Sequence, residues 1–201
     1  MNVTLQPRRR GRPRDSSIDD RVLDATRQLL VEVGFSATTI QAIADRSGVP
    51  NSAIYRRWPS RVQLIEAAAT PQIPDLGSQT GELAYDLRRF ESALRKALAS
   101  PVTRAALPSL LAAYQAGHSG RPAAFRMRES WRPQFYDLLD AAGPEQVDAA
   151  VNRDDLFDLL LGSILVEAFV PTTAQRPTQQ VETTPLLIRL VGPRPDGIVN
   201  N

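Results

Sequence analysis

The stretch TTIQAIADRSGVPNSAIYRRW, residues 38–58, constrains the fold more than any other part of the chain. Ile40, Ile43 and Ala44 make a short apolar face, with Thr38 and Thr39 ahead of it as candidate N-caps. Ser47-Gly48 breaks that pattern. Pro50 then opens a second short helix, a position where the missing proline N–H costs nothing. Two short helices, about 39–45 and 50–57, joined by a tight turn at Gly48, are a helix-turn-helix unit. The second helix carries two kinds of residue. Val49, Ile54 and Trp58 suit a core, and Asn51, Ser52, Tyr55, Arg56 and Arg57 suit a polar, negative partner. A helix packed inward on one side and placed in a DNA major groove on the other needs both.

The rest of the chain also reads as helix. Ser17-Ile18-Asp19-Asp20 is a capping-box pattern, followed by Ile18, Val22, Ala25, Leu29 and Val33 at three- and four-residue spacing. Gly34 is a natural stop. Pro59-Ser60 ends the second short helix and caps another, from Arg61 to about Ala69. TPQIPDLGSQTG, 70–81, marks a boundary. Beyond it, helices are predicted over 82–99, 102–116 with a kink at Pro108, 121–141, 145–152, 153–170 and 184–191. No strand alternation and no internal repeat stands out. The expected fold is all-α. A basic arm (1–16), flexible when free, precedes a helix-turn-helix domain (17–69), and a larger helical domain (82–201) follows.

Charge sharpens the division. Residues 1–66 hold 11 arginines against 7 acids, and residues 67–201 hold 13 basic against 15 acidic residues. A basic first part joined to a mildly acidic second part suggests a polyanion at one end only. The absence of cysteine excludes disulfides, zinc thiolate sites and thiol nucleophiles, and suits a reducing cytoplasm. The N-terminus lacks the apolar segment of a secretory signal, and no apolar run approaches the roughly 20 residues of a membrane span. The expectation is a soluble cytoplasmic protein with no membrane partner.

The chemistry of the second short helix suits DNA. Asn pairs bidentately with adenine and Arg with guanine, while Tyr and Ser hydroxyls reach phosphate oxygens. Gly34-Phe35, Thr38-Thr39, Ile43-Ala44, Gly48-Val49, Ile54-Tyr55, and Trp58 with Arg61 and Leu64 together resemble the DNA-binding domain of TetR-family bacterial transcriptional regulators. The resemblance covers residues 17–66, about a quarter of the chain. It implies DNA-contact roles for Thr39, Gln41, Asn51, Ser52, Tyr55, Arg56 and Arg57, with Arg61 on a phosphate. Pro50 departs from the pattern, standing where many members have a Ser or Thr cap. In the arm, Arg10-Gly11-Arg12-Pro13 resembles an AT-hook core, which would place Arg10 and Arg12 in a narrow minor groove. A basic tail adding only phosphate affinity is the alternative.

For residues 82–201 the resemblance implies effector binding and dimerisation. Tyr114, Phe125, Trp131 and Phe135 are candidate effector contacts, although aromatic residues at helical spacing are more often plain core. The strongly apolar 153–170 helix is the candidate dimer interface, through Leu156, Leu160, Ile164 and Glu167. No cofactor or metal is implied. His118 is the lone histidine, in a loop-like AGHSG, and no Ser-His-Asp set, metal-ligand spacing or phosphate-cradling loop accompanies it. An enzyme is therefore disfavoured. The leading expectation is a dimeric repressor that leaves its DNA operator when a small apolar or amphipathic effector binds. The alternative is an architectural DNA-binding protein without effector control, which the acidic second part argues against.

Overall fold

A computed structural model describes residues 16–70, 76–115, 123–170 and 183–192, excluding the side chains of Ser16 and 123–130. The described residues form nine α-helices and no strand. They are α1 (Ser16–Ala37), α2 (Ile40–Ser47), α3 (Asn51–Tyr55), α4 (Arg61–Ala69), α5 (Leu83–Leu98), α6 (Pro101–Gln115), α7 (Ala123–Ala142), α8 (Arg153–Phe169) and α9 (Thr183–Val191). None is long and apolar enough to cross a membrane.

Three apolar clusters organise these helices. In the first, Val22, Ala25 and Leu29 of α1 meet Ile40 and Ile43 of α2, Val49, Ile54 of α3 and Leu64 of α4. In the second, Leu30 of α1 joins Ile65 and Ala69 of α4 to Ala106 and Leu110 of α6. The third fills the space between α5, α7, α8 and α9 around Phe90, Phe135 and Phe157. Phe135 lies 5.5 Å from each of the other two rings, in the tilted and edge-on geometries that aromatic quadrupoles favour.

Gly34 interrupts α1 as expected, with φ 77° and ψ 177°. Ser17 already lies within the first turn of α1, so it is not the residue before the helix. Val33, expected on the buried stripe, is half exposed, whereas Leu30 is fully buried. α6 and α7 run through Pro108 and Pro133 as single helices. The helix expected near 145–152 does not form; turns occupy this stretch. Its polar groups have other partners. Gln146 accepts from the Leu83 N–H at 3.0 Å and donates to Gly81 O at 2.7 Å, and the Asp148 N–H donates to Val191 O at 2.8 Å. Asn152 caps α8 by accepting from the Asp154 and Asp155 N–H groups.

A buried carboxylate pins α9 to α5. Glu91 accepts from the Thr183 N–H at 3.1 Å and the Thr184 N–H at 3.0 Å, and from the Thr184 hydroxyl. It thereby satisfies orphan donors at the start of α9 with a favourably placed negative charge. Arg95 pairs with Glu91 at 2.7 Å and reaches across to Glu167 of α8. Burial pushes the Glu91 carboxyl up, but hydrogen bonds from Thr184, Arg95 and Thr183 and the charge of Arg95 together outweigh it, so its pKa falls below the ordinary value. Stability from this group is therefore complete above the unfolded carboxyl value of about 4.3. It is lost as pH falls from there through the lowered folded value. Glu91→Gln should cost about 1–3 kcal/mol at neutral pH by weakening bonds to buried donors. In urea denaturation at pH 7 and in the acid range, the gap between wild type and variant should close as pH falls through that window.

Candidate nucleic-acid interface

The turn before α3 rests on one backbone conformation. Gly48 sits at φ 67°, ψ 23°, and its N–H closes α2 on Ala44 O at 2.9 Å. Nothing lies within 4 Å of where a Cβ would project, so the left-handed φ and not crowding makes glycine the suitable residue. Pro50 precedes α3 with no side-chain cap, in keeping with the departure noted in the sequence. α3 is shorter than expected: only Asn51–Tyr55 are helical, and Arg56 and Arg57 form a turn. Ala53 and Ile54 are buried, and Trp58 packs partly buried against the same cluster. Asn51, Ser52, Tyr55 and Arg56 are exposed.

The expected contact residues fall into two groups. Thr39 caps α2 by accepting from the Ala42 N–H at 3.1 Å; it is exposed and keeps its own hydroxyl hydrogen to donate. Gln41 accepts from Asn51 Nδ2 at 3.0 Å and donates to Asp45 Oδ1 at 2.8 Å. Gln41, Asp45, Asn51 and Ser52 line an open concavity of about 460 Å³ between α2 and α3. Arg56 has no side-chain partner among the described residues. Thr39, Gln41, Asn51, Ser52, Tyr55 and Arg56 are all exposed, and Gln41, Asn51 and Ser52 border the same concavity.

Arg57 and Arg61, also expected to contact DNA, have partners within the chain. Arg57 pairs with Asp19 of α1 and donates to Ala53 O at 3.3 Å, leaving its side chain only 16% exposed. Arg61 donates to Thr38 O at 2.7 Å and to Phe35 O, and its guanidinium lies 4.6 Å from the centre of the Phe35 ring. It closes off the carbonyls left open where α1 ends. Burial lowers its pKa from the ordinary arginine value. Both guanidinium groups are engaged within the protein, Arg57 by an acid and Arg61 by carbonyls. Arg10 and Arg12 lie outside the described residues.

The other expected sites separate as well. Tyr114 packs, half-buried, on the cluster shared by α1, α4 and α6, whereas Trp131 and Phe135 lie in the C-terminal core. The structure does not bring these three together, and the Phe125 side chain lies outside the described set. Leu156, Leu160 and Ile164, expected between subunits, are buried inside this chain, and Glu167 pairs with Arg95. Leu159 and Val166 of α8 and Leu186 and Leu190 of α9, none singled out from the sequence, are instead 53–59% exposed. α8 is apolar nearly all round, so periodicity could not say which side its own subunit would cover. Asp45 was also missed. Its signal was the i,i+4 relation to Gln41 on one face of α2. Among the described residues no cluster of His, Cys, Asp and Glu could hold a metal.

These features define the class: a helix-turn-helix DNA-binding domain joined through α6 to a larger helical domain. The family models agree. One, for bacterial regulatory proteins of the tetR family, matches residues 22–68; another, for the tetracyclin repressor-like C-terminal domain, matches residues 78–184. The chain belongs to the TetR family of DNA-binding transcriptional regulators, a non-enzymatic family. It is 28% identical over 178 residues to the HTH-type transcriptional regulator Mb1581 of Mycobacterium bovis, covering 83% of this chain and 81% of that one. It is 36% identical over 91 residues to YdeS of Bacillus subtilis, an alignment spanning 41% of this chain and less than half (46%) of YdeS. Salmonella enterica GusR shares the fold, with a TM-score of 0.59 at 18% identity, covering 88% of this chain and 94% of GusR.

Arginine variants test the division of roles. Arg61→Ala and Arg57→Ala should each lower stability by about 1.5–3 kcal/mol, the range for hydrogen bonds to charged groups. Arg56→Ala should leave the melting temperature unchanged and weaken DNA binding. Thermal melts followed by circular dichroism, paired with fluorescence anisotropy on duplex DNA, separate the two behaviours.

Proposed function

We propose that this chain is an effector-responsive repressor that binds a two-fold operator as a dimer. The observation that carries the reading is the accessible surface of α2 and α3, backed by a core that leaves Asn51, Ser52, Tyr55 and Arg56 outward. In this reading residues 17–69 hold the DNA and residues 82–201 sense and dimerise. Thr39, Gln41 and the outward residues of α3 meet bases and phosphates. Arg10 and Arg12 of the arm reach the adjacent minor groove.

The dimer is formed by the outer faces of α8 and α9. Leu159, Val166, Leu186 and Leu190 make an apolar surface on adjacent helices, which a second copy covers by two-fold symmetry. A small apolar or amphipathic effector binds beside α7. Trp131 supports this: it is 1% exposed, and its Nε1 has no hydrogen-bond partner among the described residues. A buried donor left unpaired costs about 1–3 kcal/mol, and an effector with an acceptor oxygen would relieve that cost. The cluster of Leu30, Ile65, Ala69, Ala106 and Leu110 couples the C-terminal helices to the DNA-binding unit through α6. An effector that prefers one position of α6 thereby shifts the spacing of the two recognition helices.

Leu159→Glu combined with Val166→Glu should give a folded monomer by sedimentation velocity, whereas Leu160→Glu, inside the subunit, should unfold the domain. Anisotropy against the DNA beside the gene, with random DNA of equal length as competitor, tests the regulator reading itself. About thousand-fold tighter binding to the gene-adjacent DNA is expected. Equal, steeply salt-dependent binding to both would favour an architectural protein and sink the repressor reading.

A further inference from the structure

The concavity between α2 and α3 holds a hydrogen-bond chain whose direction is set at one end. Asp45 is a carboxylate and can only accept, so Gln41 must turn its NH2 toward it, at 2.8 Å. That leaves Gln41 Oε1 at the other end of the amide. An oxygen must be met by a donor, and Asn51 meets it with Nδ2 at 3.0 Å. Asn51 is the first residue of α3, and all three side chains are exposed.

This polarity fixes what Asn51 has left to offer. One hydrogen of its NH2 is taken by Gln41. The second hydrogen and the Oδ1 oxygen remain, a donor beside an acceptor. Adenine presents the complement in the major groove: N7 accepts and the N6 amino group donates. With its amide reversed, Asn51 would give its oxygen to Gln41 and keep two hydrogens. Two donors match guanine, whose N7 and O6 both accept.

We infer that Asp45 is a specificity-determining positioning residue. Through Gln41 it locks the Asn51 amide in the orientation that reads adenine and rejects guanine at one position of each operator half-site. Asp45 contributes this in spite of its charge, which repels phosphate and weakens binding to any DNA. The inference rests on α3 entering the major groove, so its test must tell failure of that placement from failure of the lock.

The test is selection from a duplex library randomised across the site, using the full chain as wild type, Asn51→Ala, Asp45→Ala and Asp45→Asn, followed by anisotropy on the selected duplexes. In wild type, one position per half-site should be adenine, and Asn51→Ala should erase the preference there. Asp45→Ala frees the Gln41 amide to turn. It should admit guanine at that position, reducing the adenine-to-guanine ratio about tenfold, within the range of one bidentate contact. Other positions should keep their preferences. Asp45→Asn removes the charge, and its own amide can offer Gln41 either an oxygen or an NH2, so the direction is no longer set; it should admit guanine as Asp45→Ala does while binding random DNA more tightly. Asp45 is exposed on a helix and alanine favours helix, so circular dichroism should show both variants folded. If Asn51→Ala changes no position, the groove placement fails and the inference with it. If Asn51→Ala erases a preference that Asp45→Ala leaves intact, the placement stands and the lock is refuted. Full retention of adenine in Asp45→Asn would also refute it, since a side chain that can donate as well as accept sets no hydrogen-bond direction.

Discussion

Leu29 and Leu30 are neighbours in sequence and face two different cores. Leu29 packs with α2, α3 and α4, and Leu30 packs with α4 and α6. Both are nearly or fully buried, and burying a leucine stabilises by about 1.5–3 kcal/mol. α1 is therefore a wall common to the DNA-binding unit and the helical domain behind it. The orientation of α3 depends on this wall, because α3 is five residues long and too short to hold a helix without tertiary packing. The same wall packs on α3 on one side and on α6 on the other.

Charged side chains complete what apolar packing leaves open. The carbonyls at the end of α1 lose their helical donors at Gly34, and Arg61 supplies replacements from α4. Arg57 ties the end of α3 to the start of α1 through Asp19. In the C-terminal domain the roles reverse: Glu91, an anion, meets the open N–H groups of α9. A planar guanidinium with five donors suits several fixed acceptors at once, and a carboxylate suits the positive end of a helix. Arg56, between the recognition helix and the engaged Arg57, stays outward and available.

The helix-turn-helix was legible because its signals are local. A left-handed glycine, a threonine cap and a short apolar face each act within a few residues, and Gly48, Thr39 and Ile43 sit as their types require. Arg57 and Arg61 were not legible as parts of the fold. Their partners lie 38 and 26 residues away, and nothing in a run of arginines says which will meet an acid or a carbonyl. The stretch 145–152 failed for the same reason, since Gln146 and Asp148 bond to Gly81, Leu83 and Val191, far along the chain.

The sequence by itself determined the all-helical class and the helix-turn-helix, since periodicity, caps and breakers act over a single turn of helix, and its motifs carried the resemblance to the family. Tertiary structure decided which face of each helix is free. Leu159 and Leu160 are adjacent and chemically identical, yet one is 55% exposed and the other fully buried. That difference comes from where α5, α7 and α9 lie against α8, and no property of either residue encodes it. The same holds for the chain from Asp45 through Gln41 to Asn51: the first link follows from helical spacing, while the second exists only because the turn at Gly48 brings α3 against α2.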